Sequence, residues 1–65
     1  MKVRDIVNSK FVNDSTTLIF RDNFHVVLEV IKVNLTYMLN EPVEHFTWQD
    51  DNKVFIDLRE DWGNV

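Results

Sequence analysis

His25 and His45 are the only imidazoles in this 65-residue chain, and it has no cysteine. A zinc site needs three or four N, S or O ligands converging on one point, so two histidines would have to recruit carboxylates such as Asp22 or Asp57. No motif spacing brings those residues together, and the expectation is no metal and no cofactor. What the spacing does support is a cross-strand pair of His45 with Asp57, leaving His25 exposed. Asp57 with Asp50 or Asp51 could be read as paired carboxylates for acid–base work. Asp50-Asp51-Asn52, however, has the composition of an exposed turn, where acids stay hydrated. Nucleophilic catalysis has no thiol to use, Ser9 and Ser15 have no histidine near them in sequence, and the single glycine provides neither a phosphate-cradling loop nor a nucleophile elbow. The chain is therefore expected not to be an enzyme, with no catalytic residue assigned.

The two tryptophans point to contact instead. Trp48 falls on the inward side of a predicted strand, where a core role is expected. Trp62 follows Glu60 and Asp61 near the chain end, where it either anchors an interface or folds back over a sheet edge.

The elements that must position these residues follow from two similar segments. Arg21-Asp22-Asn23 lies between Leu18-Ile19-Phe20 and Val26-Val27-Leu28, and Asp50-Asp51-Asn52 lies between Phe46-Thr47-Trp48 and Val54-Phe55-Ile56. Asp accepts hydrogen bonds from nearby backbone and Asn tolerates the left-handed region, so each reads as a three-residue hairpin tip closed by asparagine. Strands are predicted at about 16–20 and 24–32, then 44–49 and 53–59. The first register sets Phe20 against Phe24 and Leu18 against Val26. The second sets Trp48 against Val54, Phe46 against Ile56, His45 against Asp57 and Gln49 against Lys53; a slip of one residue would turn every side chain over.

Val3, Ile6 and Val7 share one helical face and predict a helix over 2–8. Asn34 as an N-cap, Leu35, Met38 and Leu39 on one face and Pro42 as a stop predict a second over 35–40. The order α-β-β-α-β-β gives an α+β fold with a four-stranded antiparallel sheet made of two hairpins, and a small curled β-barrel is the alternative. One domain over 1–60 and a polar tail over 61–65 complete the organisation.

Composition sets limits on function. Hydrophobic residues make up 45% and aromatics 12%, which excludes a disordered acidic tail. A domain of this length buries only roughly 60% of its unfolded surface and has no disulfide, so self-association is the available supplement to its core. Five basic and four acidic residues in 1–40 give +1, while two basic and seven acidic residues in 41–65 give −5. That imbalance disfavours direct binding to nucleic acid. No apolar run could span a bilayer and no leader is seen at Met1, so a cytoplasmic protein without membrane contact is expected.

Thr17 to Glu60 resembles small uncharacterised proteins of phages and prophages of Gram-positive bacteria. The likeness lies in Leu18-Ile19-Phe20-Arg21-Asp22-Asn23, in Leu35 to Leu39 with Glu41-Pro42-Val43, and in Phe46 through Leu58. It implies a phage accessory or host-directed protein in a bacterial host, and assigns no functional residue. The chain is thus expected to be a protein-interaction module, a homo-oligomer with a dimer favoured. Ile19, Val27, Ile31 and Phe55 on the second sheet face and Trp62 in the tail are its interface candidates. The alternative is an acidic decoy that occupies a basic nucleic-acid-binding groove, with Glu44, Asp50, Asp51, Asp57, Glu60 and Asp61 as its surface.

Overall fold

In the computed structural model, which describes residues 1–63, the i, i+3, i+4 spacing of Val3, Ile6 and Val7 forms helix α1 (Val3–Val7) and buries all three. Its first N–H groups find partners outside the helix: Val3 donates to the Glu41 carbonyl at 3.0 Å and Arg4 to that of Leu39 at 2.8 Å. The Lys2 N–H donates to the Asp5 carboxylate at 2.9 Å, which closes the first turn. Asn64 and Val65, the end of the expected tail, lie outside the described residues.

Four strands follow: β1 (Thr17–Asp22), β2 (His25–Ile31), β3 (Val43–Gln49) and β4 (Lys53–Leu58). They form one open sheet in the order β2-β1-β4-β3, with β1 and β4 parallel in the middle and an antiparallel hairpin on each side. The sheet is therefore mixed rather than all antiparallel, and it does not close into a barrel. Leu18-Ile19-Phe20 and Ile56-Asp57-Leu58 are buried continuously: both strands have a neighbour on each side, and the Arg21 side chain lies over the second face.

The parallel pairing governs the connection. β2 ends beside Thr17, whereas β3 starts beside Leu58 at the other end of the sheet. Residues 32–42 must cover that distance, and as a helix they would rise only about 1.5 Å each. In place of the helix expected over 35–40 there is a 3-10 turn at Lys32–Asn34, then irregular backbone with Met38 at φ +69°. Leu35, Met38 and Leu39 still pack on the core, as their spacing indicated, but from an extended route.

The second hairpin has the register read from sequence, with Trp48↔Val54, Phe46↔Ile56, His45↔Asp57 and Gln49↔Lys53, and Asn52 is left-handed at φ +63°. In the first hairpin Phe20 pairs with Leu28 and Leu18 with Val30, and the tip is the two-residue Asn23-Phe24, with φ +51° and +67°. β1 runs two residues further than expected, and the register shift between Phe20 and Arg21 leaves Val27 as an extra residue in β2. The even-numbered core set survives this change. Leu18 and Phe20, with Val54, Ile56, Leu58 and Val43, meet α1 in one buried cluster, and Leu28, Val30 and Phe46 border it.

Trp48 departs from its expected burial. It shares a face with Val54 but lies on an outer strand and is 54% exposed. α1 is docked at the opposite end of β3, through the Lys2–Pro42 bridge and the Val43 N–H bond to the Met1 carbonyl at 2.9 Å. At five residues it spans only about 8 Å. Phe11 lies against the indole, with ring centroids 5.5 Å apart.

Candidate functional site

The sheet face opposite α1 is a lattice of three rows. His45, Asp57, Arg21 and Val26 lie side by side across β3, β4, β1 and β2; Thr47, Phe55, Ile19 and Glu29 form the next row; Gln49, Lys53, Thr17 and Ile31 form the last. In the first row the Asp57 carboxylate accepts two bonds from Arg21, from Nε at 2.7 Å and Nη2 at 2.9 Å. His45 Nε2 stands 2.9 Å from Asp57 Oδ2, the oxygen that also accepts from Arg21 Nη2. Asp57 is buried and its two partners are more exposed. The row ties three strands together through one acid, whose oxygens are already occupied by cationic or N–H donors. Sequence reasoning placed Arg21 in a turn and missed this contact, because only the parallel β1–β4 pairing sets it beside Asp57. Serine chemistry is remote from the row: Ser15 Oγ accepts from Asn52 Nδ2 at 3.2 Å, at the opposite end of β4.

Arg21 also covers the centre of the face. Its guanidinium carbon lies 4.8 Å from the centroid of Phe55, a cation–π arrangement over a partly buried ring, and 5.9 Å from that of the exposed Phe24. Ile19 is only 5% exposed, and Phe55 is partly buried. The apolar surface left on this side belongs to β2, where Val26, Val27 and Ile31 are exposed, and continues to Phe24 at the tip, 76% exposed. Of the interface candidates, Val27 and Ile31 therefore face solvent and Ile19 and Phe55 lie beneath other side chains. Trp62 packs against the core cluster, close to Gly63, whose N–H donates to Glu41 Oε2 at 2.8 Å.

Of the acidic candidates, Asp57 is buried and bound to Arg21 and so does not belong to an acidic surface; the other five separate into two groups, with Asp22 joining the first. A groove of about 940 Å³ opens where β1 and β4 end, and Asp22, Glu44, Glu60 and Asp61 line it beside Phe24 and His45. Asp50 and Asp51 sit at the far tip, exposed, with Asp51 3.5 Å from Lys53 Nζ. Arg59 in the groove approaches Asp61 at 3.4 Å. Among the described residues no three His, Asp or Glu side chains are grouped to hold a metal ion, and no helix is long and apolar enough to cross a membrane.

A polar clasp at the far tip was also missed by sequence reading. Buried Thr16 donates from Oγ1 to Asn52 Oδ1 at 2.8 Å and accepts from the Asn13 N–H at 3.0 Å, and the Thr17 N–H donates to the Asn52 carbonyl at 3.0 Å. Asparagine in a turn was legible; its partner 36 residues away was not. No protein-family model, no curated protein and no solved structure matches the chain.

Proposed function

We propose that the chain is a non-enzymatic protein-interaction module that self-associates through the second sheet face, as a phage or prophage accessory or host-directed protein in the cytoplasm of a bacterial host. The observation that carries this reading is the unequal cover of the two faces. One face holds α1 and the 32–42 segment; the other, among the described residues, holds no further element and leaves Val26, Val27 and Ile31 exposed together on β2. Burying such a patch against a second copy adds stability that a core of this size lacks. Sedimentation at low micromolar concentration tests it. A dimer is expected, dispersed by Val27→Lys, and a persistent monomer rules self-association out.

A second reading rests on the acid-lined groove. Glu44, Glu60, Asp61 and Asp22, gathered at one end of the sheet, support a decoy that presents carboxylates to the basic nucleic-acid-binding groove of another protein. Retention on an immobilised basic DNA-binding protein should fall when Glu44→Gln and Asp61→Asn are combined. If retention is unchanged in that variant and in Asp50→Asn with Asp51→Asn, the decoy reading fails.

A further inference from the structure

β2 and β3 each have one side without a neighbouring strand, and a strand in that position offers another chain a row of backbone donors and acceptors. On β2 the phase of that row can be read. The Lys32 N–H donates to the Thr16 carbonyl at 2.8 Å, and Val30 and Leu28 continue opposite Leu18 and Phe20 in the same phase. By strand alternation the N–H and C=O groups of Glu29 and Ile31 then turn away from β1. β2 contains no proline and no lysine; its bulge at Val27 lies toward the tip and leaves Leu28 to Ile31 as a regular edge, with Glu29 its one charged residue.

β3 is guarded. Pro42 precedes it, a register irregularity interrupts it at Glu44, and Asp50 and Asp51 follow it. Charge makes the same choice. The strands of the near-neutral 1–40 segment include β2, and the −5 segment includes β3. Joining two copies along β2 holds the acidic halves at opposite ends of the assembly, whereas joining along β3 would press them together.

We propose that two copies of this chain pair antiparallel along β2, about a two-fold axis normal to the sheet, to form one continuous eight-stranded sheet. This pairing rests on the self-association proposed above and sets it at the β2 edge, beside the exposed Val26, Val27 and Ile31, in place of face-to-face packing of the second faces.

Because the chain has no cysteine, Thr47→Cys on the exposed side of β3 accepts one nitroxide per copy. In the joined sheet the two labelled strands are seven strand spacings apart, on the order of 34 Å at about 4.8 Å each. Face-to-face packing of the second faces would set them roughly 10–20 Å apart. Pulsed electron double resonance on the dimer should give the long separation. Ile31→Lys should raise the dimer Kd more than about tenfold, with circular dichroism confirming an intact fold, while Glu44→Lys on β3 should not weaken the dimer. A short separation, or a dimer indifferent to Ile31→Lys, overturns the strand pairing and leaves self-association standing. A chain that remains monomeric at the highest soluble concentration overturns both.

Discussion

Phe24 is an aromatic side chain at φ +67°, a region that costs an L-residue roughly 1–2 kcal/mol. Glycine removes that cost but adds freedom to the unfolded chain, and little packing is lost at so exposed a position. Phe24→Gly should therefore raise stability by about 0.5–1 kcal/mol, read as a higher urea midpoint with unchanged slope. A lower midpoint would show that the ring's contact with Arg21 outweighs the backbone strain. Asn52 is the opposite case, since its left-handed backbone and its side-chain bond to buried Thr16 act together. Asn52→Ala should cost about 2–3 kcal/mol, about half from each source, and Asn52→Gly should recover the backbone part only. Asp57→Asn keeps the shape but weakens both Arg21 bonds and the His45 contact, and about 2 kcal/mol of destabilisation by thermal or urea unfolding is expected. These residues were unequally visible in sequence. Asn52 and the His45–Asp57 pair follow from local turn chemistry and strand alternation. Arg21 and Thr16 depend on partners 36 residues distant, which no local pattern encodes.

The elements were legible where their signal was local. The 3.6-residue spacing of Val3, Ile6 and Val7 found α1, and alternation through Phe46 and Trp48 found β3 with its full pairing to β4. The central pair was not legible: Leu18-Ile19-Phe20 and Val54-Phe55-Ile56 are unbroken apolar runs, but so is Val26-Val27-Leu28 on the outer strand β2, and apolar composition does not set strand direction. The helix expected over 35–40 failed for a reason of distance, because periodicity cannot say how far a connection must travel. α1 is the only α-helix among the described residues, and Ile6 is nearly fully buried beneath it. Ile6→Ala should cost about 2–4 kcal/mol. Loss of near-ultraviolet ellipticity together with the main unfolding transition would confirm that α1 belongs to one cooperative unit; a separate early transition would show it to be a detachable cover.

At the scale of the whole molecule, a body of 29 × 20 × 18 Å has few residues wholly out of water. Its core cluster is nine buried side chains, so association and folding should be linked. The melting temperature of the intact chain should rise with protein concentration, and Val27→Lys should abolish that dependence. A concentration-independent melting temperature for the intact chain would separate stability from any assembly.

The seam between β1 and β4 carries a consequence for how the chain reaches this form. Each ribbon can zip from its own tip within microseconds, yet neither has anything to lean on until Thr17–Asp22 finds Lys53–Leu58. Closing so long a stretch of chain is the entropically demanding step. The earliest contacts in time are then not the ones that commit the molecule, and changes at Leu18 or Ile56 should retard refolding whereas changes at the two tips should hasten unfolding.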